Sequence, residues 1–273
     1  MTRKYQGVQK MCKKIILIIT AVVLMLSITA CSSASSSEKS GSKPTFTVGF
    51  DQDFPPMGFV DENGNFVGFD LDLAAEAAKR MDMELKLQPI AWDAKDMELE
   101  SKNIDCVWNG FTINGREDLY TWTEPYMSNN QVFVVRADSD IETIADLAGK
   151  RVCVQVDSSA EAALKDRPEI ESTFSEYIKA DNYNTALMDL EAGAVDAVAM
   201  DEIVARYQIE KRGAKFRVLD ETLAAEEYGV GFLKGNTELR DKVQKALEDM
   251  AKDGTMEKIS IKWFGKDITT IGK

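Results

Sequence analysis

The segment Ile104–Tyr126, IDCVWNGFTINGREDLYTWTEPY, runs a short apolar strand straight into polar donors and one arginine. Ile104, Cys106 and Trp108 alternate with Asp105 and Val107 as a buried parallel strand would, and Asn109-Gly110 is expected to end that strand where open α/β sheets bind ligands. Thr112 and Arg116 follow. A guanidinium can grip a carboxylate through two parallel hydrogen bonds, and Thr112 offers a hydroxyl and a backbone N–H beside it. The same arginine could instead open a solvated helix and pair with Glu117 or Asp118.

A second constellation lies downstream. Val156-Asp157-Ser158-Ser159 stands between a predicted strand and a predicted helix, so Ser158 or Ser159 can cap that helix or face a bound anion. Asp201 follows the apolar run Ala197–Met200; it can neutralise an ammonium, cap the next helix, or do both. Arg116, Thr112 and Ser159 for a carboxylate, with Asp201 for an ammonium, describe a clamp for an α-amino acid.

Alternating strand and helix patterns must position these groups, which argues an α/β fold with mostly parallel sheets. The first unit reads as strand 46–50, a turn at Asn63-Gly64, a helix capped by Asp70 through Met81, strand 84–90, helix 93–101 and strand 104–108. A second unit repeats the order: strand 151–156, helix 160–165, strand 174–178, helix 183–192, strand 197–200 and helix 203–211. Val132–Arg136 and Tyr228–Lys234 are candidate crossovers between the two, and helices 237–252 and 256–264 close the chain. Two crossovers predict two lobes that close over a cleft by hinge motion, lobe 1 being 44–133 with 228–273 and lobe 2 being 134–227.

Residues 1–14 carry Arg3, Lys4, Lys10, Lys13 and Lys14 and no acid, and Ile15–Ile28 is almost continuously apolar. This is the pattern of a secretory signal over residues 1–30, too short for the roughly 20 residues of a permanent membrane helix. Cys31, directly after small residues, can be a lipidated first residue of the mature chain or a stray thiol beside ordinary cleavage at Ala30. Residues 31–43, dominated by serine, read as a flexible tether. Without the signal, 28 basic residues face 46 acidic ones, a formal charge of −18, which argues against nucleic acid as a partner. Anionic lipid would also repel such a surface, so membrane attachment has to come from the lipid.

Cys106 and Cys153 lie in apolar strands of different units and read as buried hydrophobes, not a disulfide. The chain has no histidine, which excludes His-based triads and the usual zinc sites, and no cofactor motif is present.

Over residues 44–265 the chain resembles the amino-acid-binding receptors of bacterial ABC transporters, with the type II periplasmic-binding-protein fold. The resemblance is carried by DQDFPPMGF (51–59), GFDLDLA (68–74), NGFTINGR, EPYM (124–127), GKRVCVQVDSS (149–159), VDAVAMD (195–201), YGVGFLKGN and KWFG. It implies that Arg116 and Thr112 take a ligand carboxylate, that the Gly110 carbonyl and Asp201 hold its ammonium, and that Ser158 and Ser159 contribute from lobe 2. It further implies that Phe54 and Trp92 flank the ligand, where core packing is the alternative, and that Asp51 touches its side chain; Asn109, with Asp51, Met57 and Asp157, is expected to bear on side-chain specificity. Partners implied are an amino acid and an ABC permease, with the receptor a lipid-anchored monomer outside the cytoplasm. The alternatives on this fold are a cyclic-acid dehydratase and a ligand-sensing domain. Two departures from the pattern stand out. Arg116 follows Thr112 by four positions where five is usual, with Asn114-Gly115 as a compensating turn, and Asp157 replaces a glycine, an extra acid that hints at a ligand with a second positive or polar group.

Overall fold

The computed structural model describes residues 43–213 and 215–273, which pack as one unit; the signal, Cys31 and almost all of the tether lie outside the described residues. β1 (Thr45–Phe50) alternates so that Phe46, Val48 and Phe50 are buried. A small three-stranded sheet follows, β2 (Asp53–Phe54), β3 (Gly58–Val60) and β4 (Phe66–Val67), with the Asn63-Gly64 turn between its last two strands. α1 (Phe69–Arg80) buries Phe69, Leu73, Ala74 and Ala77 against the sheet. Its N-cap is Gly68 with no side-chain cap, so Asp70 does not cap it as expected; Asp70 sits inside the first turn, fully buried.

β5 (Glu84–Pro89), a 3-10 turn at Trp92–Ala94, α2 (Lys95–Glu100), β6 (Cys106–Thr112), β7 (Tyr120–Trp122) and β8 (Met127–Arg136) complete the first half. The second half runs β9 (Arg151–Gln155), α3 (Ser159–Lys165), α4 (Pro168–Glu171), β10 (Glu176–Ala180), α5 (Tyr183–Ala192), β11 (Ala197–Asp201) and α6 (Glu202–Lys211). β12 (Phe216–Leu233), α7 (Thr237–Lys252) and α8 (Thr255–Phe264) end it.

β5-β1-β6 and β10-β9-β11 are both parallel and share one order, the second strand beside the first and the first beside the third. Each is flanked by an antiparallel crossing strand, β12 on β6 and β8 on β11. β8 and β12 also pair with each other, from Phe216 opposite Arg136 to Tyr228 opposite Met127. The two sheets expected from the sequence are therefore hydrogen-bonded into one nine-stranded array among the described residues.

Two crossing strands are longer than expected. β12 begins at Phe216, not Tyr228, and β8 at Met127, not Val132. The register of β12 shifts between Val218 and Thr222 and again between Thr222 and Ala224, which breaks the alternation by which a strand is read. β6 also runs past Trp108 to Thr112. Asn109-Gly110 does not end it but forms an irregularity opposite Gly229–Gly231, with Gly110 at φ +57. Cys106 and Cys153 are free and buried. Burial raises both thiols, Cys153 to about 11, so they behave as the small hydrophobes the sequence suggests.

Candidate functional site

The carboxyl ends of β1, β6, β9 and β11 converge on one cleft, as parallel α/β sheets place their sites. Phe54, Trp92, Gly110, Thr112, Arg116, Gln155, Ser158, Ser159 and Asp201 line a cavity there of about 10 Å³, about the volume one water needs. A larger groove of about 960 Å³ lies along the crossing strands, between α6 and the residues after α8. It contains none of the donors of the cleft, and the chemistry points to the small cavity.

On the first half, Gly110 owes its position to Asp70. The buried Asp70 carboxylate accepts the Gly110 N–H at 2.5 Å and the Tyr126 hydroxyl at 3.0 Å. Burial raises its pKa to about 7 against the pull of those donors. A Cβ on Gly110 would lie 3.0 Å from the Phe54 ring and 3.1 Å from that of Tyr228, so the backbone passes between two aromatics at a φ that favours glycine.

Arg116 is held without being neutralised. Its N–H groups donate to the carbonyls of Thr112 (3.4 Å) and Asp157 (3.3 Å), and its guanidinium lies 5.4 Å over the Phe111 ring. No carboxylate among the described residues pairs with it, so the solvated pairing with Glu117 or Asp118 does not form. The shortened Thr112–Arg116 spacing is absorbed by a turn in which the Arg116 N–H donates to the Ile113 carbonyl at 2.8 Å, with Gly115 at φ +77. Trp92 packs edge-on to Phe111 at 5.4 Å, and Phe54 lies 5.9 Å from Tyr183 of the second half.

On the second half, the Ser158 hydroxyl caps α3 by accepting the Glu161 N–H at 3.1 Å. Ser159 accepts from the Gln131 amide at 2.8 Å. Asp201 is buried and does not cap α6 with its side chain, correcting that part of its expected role; Asn129 Oδ1 takes the Ile203 N–H instead. The Asp201 carboxylate accepts from Asn129 (3.0 Å) and the Tyr228 hydroxyl (2.5 Å). Burial, then the charge of Glu226, pushes its pKa well up.

Two expected residues fall outside the cavity wall. Asp51 reaches across the cleft to accept from the Gln155 amide at 2.7 Å, and burial lifts its pKa to about 6. Asn109 is buried with its amide unpaired, close enough to Gly58 that a Cβ there would meet its Oδ1 at 2.7 Å. Asp157, at φ +56, does not offer a free acid to a ligand. Its carboxylate is taken by the buried Lys95 of the first half. Gln155, Lys95, Asn129, Gln131 and Glu226 were not read from the sequence, because each becomes part of the site only through a partner far along the chain.

The described residues hold no group of three or more His, Cys, Asp or Glu able to ligate a metal. Paired parallel sheets bridged by two crossing strands, with opposite charges facing across the gap, define a two-lobed periplasmic-type binding protein. The chain belongs to the bacterial extracellular solute-binding proteins, family 3, whose profile matches residues 46–266. The family is described as one of solute-binding proteins, and the relatives named below are binding proteins, which favours a receptor over the dehydratase alternative.

The chain is 34% identical over 228 residues to the L-cystine-binding protein TcyJ of Escherichia coli (strain K12), covering 82% of this chain and 84% of that one. It is 31% identical to the arginine-binding extracellular protein ArtP of Bacillus subtilis (strain 168), covering 92% and 98%. A crystal structure of an ABC uptake transporter substrate-binding protein from Streptococcus pneumoniae with bound histidine superposes with a TM-score of 0.80 at 35% identity, covering 83% and 94%. No helix among the described residues is long and apolar enough to cross a membrane.

Proposed function

We propose that this receptor captures a zwitterionic L-α-amino acid between lobe 1 (44–133 and 228–273) and lobe 2 (134–227) and hands it to an ABC permease. The observation that carries this reading is that Arg116, free of any carboxylate, and the buried Asp201 line one cavity from opposite halves of the sheet. The ligand carboxylate takes the guanidinium fork with the Thr112 group beside it. Its ammonium takes Asp201 and the Gly110 carbonyl, whose own N–H is already committed to Asp70. Phe54 and Trp92 supply apolar walls, and Ser158 and Ser159 close in from lobe 2.

A cavity of about 10 Å³ cannot admit an amino acid, so the lobes must part about the β8–β12 ribbon and shut again around it. Cystine, arginine and histidine, the ligands named for the similar proteins, are the first to test. Calorimetric titration of the wild type and of Arg116→Ala with these and the other L-amino acids checks the assignment; undiminished affinity in the variant would remove Arg116 from the site. The membrane anchor in this reading is a lipid on Cys31. Partition of the full chain into a detergent phase, lost in Cys31→Ala, tests it.

A further inference from the structure

Glu226 lies on the crossing strand β12, directly opposite Asn129 in the β8–β12 ladder, and is 6% exposed. The Asn129 side chain is fixed in orientation, because its Oδ1 accepts the Ile203 N–H at 3.3 Å. Its NH₂ therefore points at acids on both sides. Asn129 Nδ2 donates to Asp201 Oδ1 at 3.0 Å and to Glu226 Oε1 at 2.6 Å. One nitrogen between two carboxylates holds them within the ~4–6 Å over which like charges act strongly on each other. Gln131, wholly buried, donates to the same Glu226 oxygen at 2.8 Å and to the Ser159 hydroxyl of the ligand cavity, also at 2.8 Å.

Neither carboxylate has a lysine or arginine within ion-pair distance among the described residues. The titratable groups packed against the Asp201 end are the Tyr228 hydroxyl, which donates to Asp201 at 2.5 Å, and Tyr183 on α5. Two buried carboxylates with only neutral donors around them are unfavourable as a double anion.

We propose that Glu226 is the second carboxylate of the ammonium site, sharing one proton with Asp201 in the ligand-free cleft and releasing it when the amino acid's ammonium arrives. The inference rests on the amino-acid reading above and deepens it. Asp201 meets the ligand; Glu226 acts through Asn129 and Gln131 as a positioning residue and sets the charge of the pair. Asp201 lines the ligand cavity and Asn129 and Glu226 line the 960 Å³ groove, which gives the released proton a path to solvent; Glu202, Arg206, Glu210, Glu227 and Lys266 line the same groove.

Titration of ¹³C-carboxyl signals in the ligand-free protein tests the pair without any ligand. The wild type should show two carboxyls with linked titrations, and Glu226→Gln, which keeps an acceptor for Asn129 and Gln131, should return Asp201 to a single titration at lower pH. Unlinked titrations, or an Asp201 curve unmoved by Glu226→Gln, overturn the proposal. The second arm is calorimetry with L-arginine and L-cystine in buffers of different ionisation enthalpy. Wild type should release up to about one proton per amino acid bound wherever the pair still shares it, with affinity rising by up to about tenfold per pH unit over that range, and Glu226→Gln should lose both effects. Binding without buffer-dependent heat overturns the proton-sharing pair while leaving the amino-acid reading intact. Failure of both probes to bind, with linked titrations present, counts against these ligands and not against the pair.

Discussion

Asp157→Asn separates the closing of the cleft from the grip on the ligand. Asp157 belongs to the loop after β9, and its carboxylate meets the Lys95 ammonium of α2 across the cleft. The two ends differ: the Lys95 side chain is 2% exposed and that of Asp157 52%. An exposed pair contributes about 0–1 kcal/mol, while cutting a fully buried pair costs about 3–5 kcal/mol by stranding a charge. With one end shut in and the other half in water, about 1–2 kcal/mol is the fitting range. Lys95 would keep only the Trp92 carbonyl at 3.4 Å and the Trp92 ring at 5.2 Å.

Asparagine is the informative replacement because it tolerates the left-handed backbone that Asp157 adopts at φ +56. The loop keeps its shape in the open and the shut forms, and only the charge changes. Since the pair spans the cleft, its loss falls on the shut form alone, and apparent affinity should weaken about 5- to 30-fold. Calorimetry measures this, and small-angle X-ray scattering of the ligand-free variant should show a larger radius of gyration than the wild type. Affinity within about twofold of wild type, with unchanged scattering, would refute the argument that this ion pair biases closure.

Arg116→Lys keeps the charge but loses the fork, so binding by calorimetry should fall by about 100-fold or more, against little change if the arginine only orders its own turn. Burial pushes the carboxyls of Asp70 and Asp51 up to about 7 and about 6, from an ordinary value of 3.8 for each. The folded state holds their protons more tightly than the unfolded chain, so stability is lost as pH rises from 3.8 towards those values, by roughly 4 kcal/mol at most for Asp70. Urea titrations of Asp70→Asn across that range should show a flatter pH slope than the wild type, and an unchanged slope would contradict the assignment. Gly68→Ala should destabilise by about 3 kcal/mol or more, because its Cβ would fall 2.1 Å from the Met57 carbonyl oxygen at φ +154; a denaturation midpoint near wild type would show that the β4–α1 junction can shift.

The legible parts of the chain are those whose burial pattern is local. Helices Tyr183–Ala192 and Thr237–Lys252 fall where their periodicity puts them, and Thr112, Arg116, Ser159 and Asp201, singled out at or after the ends of apolar strands, line one cavity. β12 upstream of Tyr228 was not, since Arg217–Glu227 is largely polar and its shifts in register erase the two-residue repeat. The polar network beneath the cleft is illegible for another reason. Asn129, Gln131 and Glu226 fall outside the strands expected from the sequence, and only the pairing of β8 with β12 turns them towards each other and away from water. Asp157 carries the same lesson: an acid in place of the usual glycine suggested a ligand contact, while the fold delivers it to Lys95.

That pairing also ties recognition to motion. Asp201 is opposite Gln131 in the ladder and so travels with β8, whereas Thr112 is opposite Tyr228 and travels with the far end of β12. In the proposed closure, a bend in the ribbon between those points would change the gap between the Arg116 fork and the Asp201 carboxylate. A zwitterion has a nearly fixed carboxylate-to-ammonium span, so it satisfies both ends at only one degree of closure. Asn129 and Gln131, which hold the acidic end, lie on the bending strands themselves. A substitution that stiffens or twists this ribbon should therefore change affinity for every amino acid by a similar factor, whereas one in the cavity wall should change the order of preference among them.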